Sequence, residues 1–309
     1  MSEGILGIHH VTAICSDAKQ NFEFYTQVLG MRLVKKTVNF DDPTAYHLYY
    51  GDSVGHPGTL LTFFAYPGGR KGTSGKGQTT AICFGVPSGS LGYWESRLAA
   101  GGVATFIQTR FGNPVLIFED PDGMQVELTE SDSIRETRPW INSPVPAEAA
   151  ILGIDSVTLT LEGYESTAKL IHERMGYRTG DHEGSRFRYH KPQANVGAAL
   201  DLVCMPDAQL GRVAIGSIHH IAFRVESDQK LRLWRVQLVA EHVNVSPVMD
   251  RSYFHSIYFR EPGGVLFEIA TDVPGFATDE DMSVLGQSLA LPAQHEPLRA
   301  MIESKLPPL

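Results

Sequence analysis

Two histidine pairs, His9-His10 and His219-His220, stand in matching apolar contexts, each followed by a β-branched residue, Val11 and Ile221. A glutamate, Glu268, lies inside a later apolar run, Val265 to Ala270. Two imidazoles and one carboxylate can hold one face of a divalent metal and leave the other positions open to substrate and dioxygen. Those donors suit Fe(II), Mn(II), Zn(II) and Ni(II) alike, so residue types alone do not name the metal. A histidine on an apolar strand is more often a hydrogen-bonded core residue than a ligand, and either pair alone would read that way. The metal reading rests on a coincidence: the pairs occupy equivalent positions of an internal repeat, with the glutamate on the inner face of its last strand.

The repeat has a period of roughly sixty to seventy residues and four copies. The first opens with an apolar strand from Ile8 to Ile14, followed by a helix over Asp17 to Leu29 that Gly30 stops. Strands over Arg32 to Val38, Tyr46 to Tyr50 and Thr59 to Tyr66 complete it. Copies two to four open at Thr80, Ile154 and Ile218, and the helices of copies two and three run from Ser90 to Ala100 and from Ser166 to Met175. The third copy adds strands near Arg186 to His190 and Ala198 to Met205; the fourth closes with Ser256 to Phe259 and Val265 to Ala270. This predicts an α+β fold of four βαβββ modules with curled antiparallel sheets.

Residues two apart on a strand share a face, so aligning the copies shows what each places inside its cup. The opening-strand position holds His10, Ala81, Ser156 and His220; the closing-strand position holds Thr62, Glu127, Asp201 and Glu268. His10, His220 and Glu268 converge if modules one and four share a cup. The cup of modules two and three has no histidine and should hold no metal. The proline-containing stretch Ser131 to Ala150 reads as a boundary. It gives domains at 1–130 (modules one and two) and 151–272 (modules three and four), with a linker at 131–150. A tail at 273–309 is expected to wrap the outside.

A chain of 309 residues suits two domains or one doubled domain. Its 42% hydrophobic and 20% charged residues describe a globular protein. The 26 Lys and Arg against 35 Asp and Glu give a net charge of −9, without a basic cluster, which argues against nucleic acid. No apolar stretch reaches membrane-spanning length, and the N-terminus has no signal-peptide pattern. Cys15, Cys83 and Cys204 are scattered, as expected of buried small hydrophobes in a reducing cytoplasm.

At these residues the chain resembles the vicinal oxygen chelate superfamily, which includes glyoxalase I, extradiol ring-cleaving dioxygenases and antibiotic-resistance proteins. Leu33 to Pro43, His47 to Asp52 and Phe267 to Asp272, with Pro274-Gly275-Phe276 after them, are similar to the hydroquinone-type ring-cleaving dioxygenases. The resemblance implies two vicinal-oxygen-chelate domains and an Fe(II) site on His10, His220 and Glu268, with Mn(II) or another divalent metal compatible. It also implies catalytic roles for His9, Thr12, His219, Arg251 and Tyr258, with a small aromatic substrate and O2 as partners. A homo-oligomer stays open, and a cytoplasmic setting and the absence of nucleic-acid and membrane partners are expected.

The residues support these roles unequally. Thr12 shares a strand face with His10; Tyr258 reaches Glu268 by even spacing across a hairpin, although an aromatic core filler would do the same. Arg251 offers an always-charged donor, though a solvated loop arginine is the plainer reading without the resemblance. Strict alternation turns His9 and His219 away from the cup unless a bulge intervenes. Phe254 and Phe259 are candidates to pack the ring, while His47, His56, His190 and His255 receive no role. Two other functions remain open. A glyoxalase I-like lyase or isomerase would use Zn(II) or Ni(II), but Thr62 stands where its second carboxylate would be. A metal-free, bleomycin-sequestering type of binding protein would leave the His, His and Glu set unexplained.

Overall fold

Each apolar run at the head of a repeat becomes a long strand, where β-branched residues fit the pleated surface. The computed structural model describes residues 4–132, 134 and 137–309. The first module comprises β1 (Ile5–Cys15), α1 (Ala18–Glu23), β2 (Arg32–Val38), β3 (Tyr46–Gly51) and β4 (Leu60–Ala65). The second comprises β5 (Gln78–Val86), α2 (Leu91–Ala100), β6 (Thr105–Arg110), β7 (Asn113–Glu119) and β8 (Gln125–Glu130). The third comprises β9 (Gly153–Leu161), α3 (Glu165–Lys169), β10 (Arg178–Glu183), β11 (Arg186–His190) and β12 (Ala199–Cys204). The fourth comprises β13 (Ser217–Val225), α4 (Asp228–Ala240), β14 (Met249–Asp250), β15 (Phe254–Arg260) and β16 (Leu266–Pro274). The strand-helix-strand-strand-strand order of the sequence repeat is thus present in all four.

The helices carry their own repeat signal. α2 buries Leu91, Trp94 and Leu98, and α4 buries Leu231, Trp234 and Leu238; this shared spacing puts one tryptophan per helix on the core-facing stripe. α1 and α3 are shorter than the sequence suggested, each continuing into a π-helical turn, Phe24–Val28 and Leu170–Arg174. Gly30, Gly102 and Gly176 follow their helices with φ of 71°, 74° and 74°, the left-handed stop that glycine supplies cheaply.

The strands form two eight-stranded sheets, ordered β14-β15-β16-β13-β1-β4-β3-β2 and β10-β11-β12-β9-β5-β8-β7-β6. Modules one and four share the first and modules two and three the second, so each half of the chain contributes to both. β1 and β13 join antiparallel at the centre of the first sheet. Neighbouring modules also meet through side chains: the Tyr25 hydroxyl donates to Asp120 (3.1 Å), and that of Thr167 donates to Glu261 (2.5 Å).

The segment after β16 lies against β2. Phe276 packs on Tyr49 and Tyr253 with ring centroids 5.4 and 5.2 Å apart. Lys35, fully buried on β2, donates to Asp279 at 2.5 Å and also pairs with Glu280. The cysteines are free, Cys15 and Cys83 buried and Cys204 half-buried. Among the described residues no helix is long and apolar enough to cross a membrane.

Candidate metal centre

Three cross-strand registers build the site. His10 on β1 pairs with Ala222 on β13, Ala222 with Glu268 on β16, and Glu268 with Tyr258 on β15. Ala222, fully buried, is the small member of that row. Thr12 pairs with His220 in the next register. The possible ligand atoms of His10, His220 and Glu268 lie within 4.8 Å of one another, and all three residues are buried.

The His10 and His220 Nε2 atoms stand 3.3 and 2.8 Å from Glu268 Oε2. Donors held at right angles about 2.1 Å from one ion are about 3.0 Å apart, so this clustering suits a shared cation. Apart from these two imidazoles, neither carboxylate oxygen of Glu268 has a hydrogen-bonding neighbour among the described residues. A fully buried carboxylate left that way is costly unless a positive charge compensates it. The donor set and the buried carboxylate therefore fit a divalent metal. Burial would push the Glu268 carboxyl up, but the neighbouring imidazoles of His10 and His220 hold it well below its usual range.

His9 and His219 reach the site by the bulge that strict alternation lacked. Between Ile8 and His10 the partner strand advances only from Phe223 to Ala222, leaving His9 extra on β1. Between Thr12 and Ala13 it passes from His220 to Ile218, leaving His219 extra on β13. Each extra imidazole turns its Nδ1 to the Nδ1 of its neighbour, at 2.9 Å for His9 and His10 and 2.7 Å for His219 and His220. That contact occupies the inner nitrogen and leaves Nε2 for a metal. Burial lowers His9 well below its ordinary value and brings His219 down to about 3, so both rings are neutral. The second sheet has the same two bulges, at Thr80 and Asp155. The distortion therefore belongs to the fold, and the histidines to this cup.

A cavity of about 300 Å³ opens beside the triad, lined by His10, Thr12, His219, His220, Arg251 and Tyr258 together with Phe40, Phe64 and Phe254. A larger open groove of about 980 Å³ along Phe24, Phe106 and Gln125 touches none of the candidate residues. The Arg251 Nε donates to the Tyr258 hydroxyl at 3.2 Å, and the guanidinium lies 5.3 Å from the Tyr258 ring centroid. Burial, then the charge of Glu268, pushes the Tyr258 phenol upward, so it stays protonated. Phe254 packs 5.2 Å from both His9 and His10. Phe259 points the other way, into the core against Phe267 at 6.0 Å, because an odd step from Tyr258 reverses the strand face. Its expected role in packing the ring is therefore corrected. His56 pairs with Asp52, and His255 with Asp228, at 2.6 and 2.8 Å, outside this cavity.

His47, given no role from the sequence, lines the cavity from β3 together with Tyr49, and Asn39 and Asp41 line it from the connection between β2 and β3. The available signal was parity, since His47 and Tyr49 are two apart and Tyr49 pairs with Thr62, the closing-strand position of module one. In the second cup the equivalent carboxylates are already engaged, Glu127 by Arg110 and Asp201 by Arg186 and Arg188.

Comparison with known proteins agrees with this architecture. The family model described as Glyoxalase/Bleomycin resistance protein/Dioxygenase superfamily matches residues 7–128 and 154–269. The Bacillus subtilis (strain 168) protein named "Putative ring-cleaving dioxygenase MhqO" is 42% identical over 308 residues, covering 100% of this chain and 98% of its own. The "Chlorohydroquinone/hydroquinone 1,2-dioxygenase" of Sphingobium indicum is 34% identical, over 96% of this chain and 94% of its own. A crystal structure described as a "putative dioxygenase from Bacillus subtilis subsp. subtilis str. 168" superposes with a TM-score of 0.95 at 42% identity, covering 99% of this chain and 98% of that one. Glyoxalase I from Zea mays shares the fold at a TM-score of 0.63 and 14% identity, over 86% of this chain and 92% of its own. On the family model and these full-length relatives, the chain belongs to the glyoxalase/bleomycin resistance protein/dioxygenase superfamily.

Proposed function

We propose that this chain is an Fe(II)-dependent ring-cleaving dioxygenase that inserts O2 into a para-hydroquinone-type ring, with His10, His220 and Glu268 as the metal ligands. The observation that carries the reading is the buried triad, all within 4.8 Å, opening onto an aromatic-lined cavity. Its similarity to a chlorohydroquinone/hydroquinone 1,2-dioxygenase over nearly the full length supports the substrate class. The cavity, about 300 Å³, is at the small end for ligand sites and suits a single ring. Thr62 stands where a four-ligand lyase site would need a second carboxylate, and its hydroxyl is already tied to Thr12 and His47.

When bound, Fe(II) supplies a Lewis acid for a phenolic oxygen and an electron path to dioxygen. The remaining work belongs to the chain. Phe254 and Phe64 pack the ring and exclude water. Arg251, always charged, stabilises negative charge on substrate oxygen, and Tyr258 presents a protonated phenol beside it. His9 and His219 orient the ligating imidazoles. Thr12 offers a hydroxyl to the substrate side of the cavity.

Anaerobic reconstitution with Fe(II), followed by oxygen-electrode assays with hydroquinone, methylhydroquinone, chlorohydroquinones and catechol, tests the proposal. Uptake with a para-hydroquinone that vanishes in His220→Ala is the expected result. One bound metal with no oxygen consumed for any diphenol would overturn it.

A further inference from the structure

Along one side of the cavity runs a line of hydrogen-bonded side chains. The hydroxyl oxygens of Thr12 and Thr62 are 2.8 Å apart, Thr62 Oγ1 is 2.9 Å from His47 Nε2, and His47 Nδ1 is 2.9 Å from the Tyr49 phenol oxygen. All four residues are buried. Their order follows the sheet: Thr12 pairs with Thr62, Thr62 with Tyr49, and His47 lies two residues from Tyr49 on the same face. Thr12 and His47 both line the cavity.

We propose that His47 is the terminal proton acceptor for the substrate's hydroxyl, reached through Thr12 and Thr62. This rests on the dioxygenase reading above. The substrate O–H donates to Thr12, Thr12 donates to Thr62, Thr62 donates to His47 Nε2, and His47 Nδ1–H donates to Tyr49. Transfer breaks the O–H bonds of substrate, Thr12 and Thr62. It forms new O–H bonds on the two threonines and an N–H bond on His47, leaving a phenolate and an imidazolium. The reverse shift returns the proton to the ring-opened product, so no external acid is consumed. His9 and His219 are less suited, because each spends Nδ1 on a neighbouring imidazole. His47 is bonded only to hydroxyls, which both accept and donate. Burial lowers His47 well below its ordinary value, so it rests neutral and holds the relayed proton only until the ring-opened product takes it back.

Two variants test the relay in the full chain. His47→Gln keeps a polar side chain but removes the proton acceptor, and Thr62→Val cuts the path while leaving His47 in place. With Fe(II), each should lower kcat roughly 100-fold with KM changed less than threefold and one metal still bound. With redox-inert Zn(II), 4-nitrophenol reads proton transfer directly. The wild type should bind it as the coloured phenolate, and both variants as the colourless neutral phenol. Should His47→Gln not fold, Thr62→Val gives the same readouts. An unchanged phenolate band in the variants, or a kcat within threefold of wild type, overturns the proposal. Absence of oxygen uptake by the wild type with every para-hydroquinone instead sinks the dioxygenase reading, and the nitrophenol signal still decides whether the relay exists.

Discussion

An imidazole has two nitrogens, and a metal can use only the one that its other contacts leave free. In His10 and His220 the inner Nδ1 faces a second histidine, so His9 and His219 fix which nitrogen points into the cup. Losing such a partner typically costs 10- to 100-fold in metal affinity. His9→Ala and His219→Ala should therefore weaken Fe(II) or Zn(II) binding by about that factor while the folded protein retains one site. Competition against a chelator of known affinity measures it, and affinities equal to wild type would remove these residues from the site. Arg251 and Tyr258 are coupled similarly through their 3.2 Å hydrogen bond.

At the scale of elements, what was legible followed from period and punctuation. The opening strands, the glycine stops and the residues at aligned positions could be read because alternation and repeat spacing are local properties. β10 was missed because all six of its residues are exposed and carry no apolar alternation, and β14 because it has only two residues. The bulges at His9 and His219 were also hidden, since an extra residue shows only against a partner strand distant in sequence. Lys35 gives another case: a lysine in an apolar strand looks solvent-facing, yet the chain after β16 supplies Asp279 and Glu280 to it. Asp279→Ala with Glu280→Ala should strand that buried ammonium and cost about 3–5 kcal/mol. Adding Lys35→Met should recover most of the loss. Urea unfolding of the three proteins checks this, and a double variant as stable as wild type would show the pair to be inert.

Across the whole molecule, one sheet topology serves twice with different contents. The first cup leaves its carboxylate facing only imidazoles, while the second commits Glu127 and Asp201 to arginines. Histidines alone should therefore not convert the second cup. Both the wild type and Ala81→His with Ser156→His are expected to bind one metal per chain, and Glu268→Gln to bind tenfold or more weakly. Metal analysis after dialysis decides, and a second equivalent in the double variant would show that the arginine pairs do not block it. Because modules one and four close one sheet, His10 waits for Glu268 across most of the chain. During translation, β1 and β5 must leave the ribosome before β13 and β9 exist, with their pairing edges open to any other strand. A growing chain thus cannot bring His10, His220 and Glu268 together until its last module has emerged, so a fragment that ends before module four should bind no metal there.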